Sequence, residues 1–455
     1  MSKILSDINM DEILEDIRYL IKKGQNNFIL NIIADLHPAD IAEIMSHLDE
    51  DERRAIFDLL PSEQAHEVLV ELEENVAEDV LEKMDSARIA SLINEMESDD
   101  AADLVSELSL EKATEVLEKV EEESSEEIQE LLLYPEDSAG GIMAKEYVAV
   151  HADATVSEAI EEIREKHMEV EDLYSCFVID DYGTLLGTIS LRDLILSDPS
   201  TPVREIMDQD VISIDSDMDQ EEVAKVFRKY DLIVAPVVNQ RHKLIGRITI
   251  DDIVDVIDEE IEEDLGRIAG TGEEAVLEDS ILEISRARLP WLVLSFMGEI
   301  LSAIILSFFS ATIEQIVVSA FFIPIVMAMG GSTGQQSSII VVRGIATGEI
   351  SLRDTGRRLI RELRVALLNG FVLGLLIFAT ISLWQSDWKF GMILGSVLVI
   401  VVMNASVVGA MVPILFKKFN VDPALATGPF IATFNDVVGL LIYFSLLTLS
   451  IQFLL

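Results

Sequence analysis

The sequence predicts a multidomain chain: an all-α superhelical N domain, an α/β module present in tandem, and an all-α polytopic membrane domain of five transmembrane helices. Three observations predict it. Charge and apolarity are segregated: from Arg286 onward there are 11 Lys or Arg and 8 Asp or Glu, against 22 and 75 before it, within 455 residues of net charge -50 that are 50% hydrophobic. A twelve-residue repeat fills the region after His37, and a longer pattern of strands and helices follows it twice over. The last third carries five apolar stretches near or above the ~20 residues that cross a bilayer as helix.

An acidic region of this strength repels nucleic acid and anionic lipid headgroups and concentrates counter-cations around itself, so small cations are better candidate partners than DNA. The lone Cys176 excludes an intrachain disulfide and any Cys/His metal spacing. His37, His47 and His66 are scattered over helical stretches and read as surface or cap residues. The first thirty residues lack a basic segment followed by an apolar one, so the N-terminus is expected to stay in the cytoplasm.

The repeat runs HPADIAEIMSHL, DEDERRAIFDLL, PSEQAHEVLVEL, EENVAEDVLEKM, DSARIASLINEM, ESDDAADLVSEL, SLEKATEVLEKV. Its eighth residues are Ile44, Ile56, Val68, Val80, Leu92, Leu104 and Val116; its twelfth are Leu48, Leu60, Leu72, Met84, Met96, Leu108 and Val120. Asp, Ser, Glu or Pro near each unit start suits a helix N-terminus. One such helix cannot bury its apolar face alone, so the units must stack as a superhelix over residues 1–130.

The next region, VAVHADATVSEAIEEIREKHMEVEDLYSCFVIDDYGTLLGTISLRDLI, reads strand, helix, strand, turn, strand, helix, and the order returns in VISIDSDMDQEEVAKVFRKYDLIVAPVVNQRHKLIGRITIDDIV. The copies align on Gly187 and Gly246, followed by Ser190 to Asp193 and Thr249 to Asp252. With the entry dipeptides Ile142-Met143 and Ile206-Met207, this resembles a tandem pair of cystathionine-beta-synthase (CBS) domains, placed at 131–199 and 200–258. The resemblance implies a regulatory pair that binds ATP or another adenine nucleotide, with Ser190, Asp193, Thr249 and Asp252 matching the element that reaches a ribose. The same four residues also fit simple capping of the helices that follow.

Spans are expected at 289–310, 315–342, 363–384, 390–415 and 426–454, after a connecting region at 259–288. Ten basic residues fall on one side of them, from Arg286 and Arg288 through Arg343, Arg353, Arg357, Arg358, Arg361 and Arg364 to Lys417 and Lys418, against Lys389 alone on the other. This places the acidic region in the cytoplasm and the C-terminus outside. Five spans without internal duplication favour an ion path at the twofold interface of a homodimer.

The polar residues of the spans point to that path. Asp436, in IATFNDVVGLLIYFSLL, is a carboxylate at membrane depth, which costs roughly 3 kcal/mol unless it meets a partner or water. MAMGGSTGQQSS is expected to break the second span at Gly330, Gly331 and Gly334, and Asn404 to interrupt the fourth. Thr427, Gly428, Pro429, Thr433 and Asn435 accompany Asp436 in the fifth. Packing of small residues accounts for the glycines equally well.

With PWLVLSF, PIVMAMGGSTGQQSSIIVVRGIATGEI and DPALATGPFIATFNDVVG in order, the whole chain resembles the MgtE-type magnesium channels. The family usually has Asn at the position of Ser332, and Glu299 is carried by none of its motifs. The resemblance implies Mg2+ as the ion, Asp436 as the selecting carboxylate, and Asn435, Gly428, Thr427, Asn404, Gly330 and Gly331 around the path. Magnesium keeps most of its waters and prefers carboxylate oxygen, which suits such a lining. The resemblance also implies feedback: Asp99, Asp103, Glu221, Asp231, Asp252, Asp255, Glu260, Glu263 and Asp264 sense cytoplasmic Mg2+, and the connecting helix plugs the pore. No nucleophile–base constellation and no GxxxxGK[ST] loop is present, so no enzymatic activity is expected. An ion-coupled carrier for another divalent cation such as Co2+ is the alternative, and a membrane-anchored nucleotide sensor the third reading.

Overall fold

The computed structural model describes residues 10–34, 36–166, 170, 173–269, 281–346, 350, 355–419 and 421–454. It forms two compact units, Met1–Asp258 and Glu259–Leu455.

The first unit opens with ten short helices: α1 (Met10–Lys23), α2 (Asn26–Ile33), α3 (Pro38–Ser46), α4 (Glu50–Phe57), α5 (Ser62–Val70), α6 (Glu74–Glu82), α7 (Ser86–Ile93), α8 (Ser98–Ser106), α9 (Leu110–Leu117) and α10 (Glu122–Leu131). From α3 to α9 each is one repeat unit. Asp49 and Asp85 cap α4 and α7 by accepting from the amides of Glu52 and Ala87, which satisfies N–H groups that a helix start leaves open. All seven eighth-position residues are buried, and of the twelfth-position residues only Met84, Met96 and Leu108 are partly open. One apolar ridge per unit thus builds a continuous core.

Two three-stranded sheets follow. β1 (Ala149–His151), α11 (Val156–Glu165), β2 (Ser175–Ile179), β3 (Leu185–Ser190) and α12 (Leu191–Leu196) form the first copy; β4 (Ile214–Asp215), α13 (Gln220–Tyr230), β5 (Val234–Val238), β6 (Leu244–Thr249) and α14 (Ile250–Ala269) form the second. The sheet orders are β1-β2-β3 and β4-β5-β6, each with a parallel first pair and an antiparallel second pair. Val178 pairs with Gly187 and Val237 with Gly246, so the aligned glycines hold the same register. A Cβ on Gly187 would lie 2.6 Å from the Asp208 carbonyl, and one on Gly246 2.8 Å from that of Ala144. The entry segments cross the sheets there, and no larger residue leaves them room. Cys176 is fully buried in β2, and burial pushes its thiol up to about 12.

The second unit holds α15 (Ile281–Phe308), α16 (Ser310–Gln315), a 3₁₀ turn (Val317–Phe322), α17 (Ile323–Ala346), α18 (Thr355–Trp384), α19 (Trp388–Lys418), a 3₁₀ turn (Pro423–Ala426) and α20 (Gly428–Leu454). Among the described residues, five helical stretches are long and apolar enough to cross a membrane, in agreement with the predicted membrane domain. Residues 270–280 of the expected connecting region lie outside the described residues.

Two expectations are corrected. The glycine-rich segment does not break the second span: α17 is helical through residues 327–338, and Asn404 does not interrupt α19. A continuous helix satisfies its own backbone in lipid, and the glycines serve close packing instead. The Gly334 carbonyl occupies the place of a Cβ on Gly409, so α17 and α19 touch backbone to backbone. Gly374 and Gly395 do the same for α18 and α19, an added Cβ on either meeting the other's carbonyl at 2.7 or 2.6 Å.

Candidate functional site

In the second unit Asp436 is half-buried on α20, its Oδ1 facing Gly331 of α17, where an added Cβ would sit 3.9 Å away. Asn435 is 2% exposed and lies over Gly334, with Oδ1 and Nδ2 both lacking a partner. Gly330 faces Val401 and the Asn435 carbonyl. The structure therefore brings Asp436, Asn435, Gly330 and Gly331 together. A buried amide with no partner is costly, and the polar atoms of Asn435 find none among the described residues.

Thr427 and Gly428 stand apart, two turns away at the start of α20. Thr427 is buried and donates through Oγ1 to the Ala424 carbonyl at 2.6 Å. Gly428 has φ of +47°, the left-handed region that favours glycine, and its carbonyl accepts from Gln335 at 3.4 Å. A Cβ there would also lie 2.6 Å from the Ile268 carbonyl. Next to it Arg267 of α14 pairs with both Glu263 and Asp422. Asn404 is half-buried on α19, one turn beyond Val401, and Ser332 is on the exposed face of α17.

In the first unit α8 presents its N-terminus to the second sheet. Arg247 of β6 is 3% exposed and donates to Glu97 at 2.6 Å. Ser98 donates to Glu146 at 2.8 Å and accepts from the Lys145 amide at 2.8 Å. Asp252 accepts from the amide and hydroxyl of Thr249, both at 2.8 Å. Burial, reinforced by the neighbouring carboxylates, raises Glu97 and Asp100 to about 7 and Asp99 well above its ordinary value. Burial lifts Asp252 to about 6 against the lowering pull of its Thr249 bonds and Arg247.

Residues 323–446 match the MgtE family of divalent cation transporters, residues 36–137 its intracellular N domain, and residues 139–198 and 203–259 two CBS domains. The magnesium transporter MgtE of Thermus thermophilus is 35% identical, over 95% of this chain and 97% of its own. That of Bacillus subtilis is 33% identical, over 99% of this chain and 100% of its own. The chain belongs to the MgtE family. Its membership makes it a membrane transport protein and not an enzyme. Among solved structures, the cytosolic domain of the Mg2+ channel MgtE in complex with ATP covers 53% of this chain and 99% of its own, at 32% identity and a TM-score of 0.51.

Of the sensing residues that the MgtE resemblance implies, the fold buries Asp99 and Asp252 together. Asp103, one turn along α8, is exposed, and Asp255, one turn along α14, is exposed in the field of Glu71. Glu221 pairs with Lys225 at 2.8 Å, and Asp231 closes the other end of α13 with φ of 53°. Glu260, Glu263 and Asp264 follow on α14. Among the described residues, no three His, Cys, Asp or Glu side chains are poised to hold a metal ion. Ser190 accepts from the Asp193 amide at 3.1 Å and donates to its carboxylate at 2.6 Å, so it caps α12, while Thr249 donates to the Asp252 carboxylate at the start of α14.

Sequence reasoning missed Glu97, Asp100, Glu146 and Arg247, although a lone arginine in the apolar strand LIGRIT was a readable signal. It also missed Glu362 of α18, which is 7% exposed and bonded to Arg358 at 2.8 Å and Ser337 at 3.3 Å; Ser337 in turn meets Ser406 at 2.8 Å. The i, i+4 spacing of Arg358 and Glu362 announced that knot, which ties α17, α18 and α19 together.

The acidic cluster gives a pH dependence with a definite sign. Folded-state pKa values raised to about 6 and 7 favour the folded unit at low pH, and that stability is lost as pH rises through those values. Without divalent cations, the thermal midpoint of the first unit is expected to fall by about 5 °C between pH 5 and pH 8. Added Mg2+ should restore more at pH 8 than at pH 5. Calorimetry of the full chain reads both, and a pH-independent midpoint would refute the assignment.

Proposed function

We propose that the chain is a magnesium-selective channel of the cell membrane, closed when rising cytoplasmic Mg2+ binds between its acidic cytosolic domains. The observation that carries the reading is a bilayer-depth carboxylate, Asp436, set with an unpartnered Asn435 against the glycine face of α17, in a chain aligned over almost its whole length with proteins named magnesium transporters. A hydrated Mg2+ can be read there through its waters without being stripped.

The feedback arm rests on two features. Glu97, Asp99, Asp100 and Asp252 repel one another, and a divalent cation reverses that sign. The far end of α14 lies against Asp422 and Gly428, where its position can govern the start of α20. Orientation follows the basic residues: acidic region inside, C-terminus outside. A homodimer completes the path, facing Asp436 with its copy. An adenine nucleotide is the further ligand expected at the CBS pair, since a related cytosolic domain is known in complex with ATP; Tyr147, Tyr174, Phe177, Val234 and Arg247 line the seam between the two copies.

Purified full-length protein in planar patches tests the proposal. Discrete Mg2+ currents should appear and close as Mg2+ rises on the cytoplasmic face. Neutralising Asp99, Asp252 and Asp255 together should raise the inhibitory concentration about tenfold or more. Transport without unitary openings would move the function to a carrier, and unchanged inhibition would remove the sensor.

A further inference from the structure

α15 and α20 cross where the side chain of Thr433 fills the space that a Cβ on Gly298 would need. This close approach sets the next residue, Glu299, beside Asp436, near enough for the two carboxyls to interact. Neither α20 nor α15 after Arg288 contains a basic residue, so neither helix offers the two acids a cationic partner of its own. Glu299 is exposed on the surface of the chain, and an acid there at bilayer depth needs a water path or a cation.

Two independent observations point to a ligand. Ser302, one turn beyond Glu299 on α15, is 2% exposed and its hydroxyl has no partner. Asn435, beside Asp436, leaves both polar side-chain atoms unpartnered, and it leans on Gly334 while Asp436 leans on Gly331, one turn apart on the same face of α17. A hydroxyl, a neutral amide and two carboxyls are thus carried by α20 and the part of α15 after Arg288, neither of which brings a basic residue of its own. This is the donor chemistry of a hard divalent ion that retains its waters.

We propose that Glu299 is a second anionic ligand of the ion path, forming with Asp436 a two-carboxylate site for a hydrated divalent cation. The inference rests on the proposed function and adds to it a specificity-determining residue from the first span. The second carboxylate tightens the site, so that it fills at lower ion concentration, and slows release from it.

The test is Mg2+ uptake into liposomes carrying the full chain, followed with an entrapped indicator as external Mg2+ is varied. Glu299→Gln should raise the half-saturating concentration about tenfold, the effect of removing one charge from a partly hydrated site, with maximal flux kept or increased. Glu299→Asp should stay within about twofold of wild type, because it keeps the charge. Wild-type uptake with an unchanged half-saturating concentration in Glu299→Gln overturns this inference alone. Loss of uptake in both variants also overturns it, in favour of a packing role. No uptake by wild type overturns the proposed function and the inference with it.

Discussion

Replacing Asp436 by alanine is expected to lower Mg2+ flux about a hundredfold or more while leaving the protein folded. A divalent ion about 4 Å from one carboxylate gains about 2 kcal/mol even at the dielectric of water and about 8 kcal/mol at an effective value of 20. Since about 1.4 kcal/mol is a factor of ten, a hundredfold lies near the low end of that range. The residue is half-buried and faces glycine, so truncation leaves neither a large cavity nor a broken ion pair with a basic side chain. Asp436→Glu should recover part of the flux and Asp436→Asn little, because charge carries the effect. Uptake into liposomes, with thermal unfolding beside it, separates conduction from stability. A normally conducting alanine variant would leave the carboxylate of the fifth span without a role.

Gly409→Ala is expected to be the most destabilising single methyl addition in the membrane unit. Its Cβ would fall on the Gly334 carbonyl, backbone against backbone, where no side chain can rotate away. Overpacking typically costs 1–3 kcal/mol when side chains can adjust; here two helices must separate, so about 3 kcal/mol or more is expected. The displacement would also move Gly334 under Asn435 and so disturb the candidate ion site. Gly356, with nothing near its Cβ position, is the control: alanine there should be neutral or stabilising by up to about 1 kcal/mol. Thermal unfolding in detergent compares the two, and equal midpoints would refute the packing argument.

These two residues also mark where the sequence could be read and where it could not. Apolar runs and the twelve-residue period are one-dimensional signals, so the five spans and the stacked helices were legible, as was Asp436, an acid in an apolar run. The function of a glycine depends on what lies opposite it. Gly330, Gly331 and Gly334 read equally as a break or as a packing face, and only the positions of Gly409 and Asn435 decide for packing. The acidic region posed the opposite problem. So many carboxylates are present that spacing alone could not separate Asp99, buried against β6 and α14, from Asp103, exposed one turn later. Arg247, 3% exposed at the centre of that cluster, draws Glu97 across 150 positions of sequence, a pairing no local pattern announces.

The burial of Cys176 has a consequence for following the protein at work. It is the single thiol of the chain and is fully enclosed in the middle strand of the first CBS sheet. Held protonated up to about 12, it is a poor nucleophile until the strand parts from its neighbours. Alkylation therefore marks each molecule at most once, and only upon opening of that sheet. The chain carries an internal clock for the regulatory module, with no label to introduce: whatever seats on the CBS pair and holds it shut lengthens the time to modification, independently of any ion that crosses the membrane.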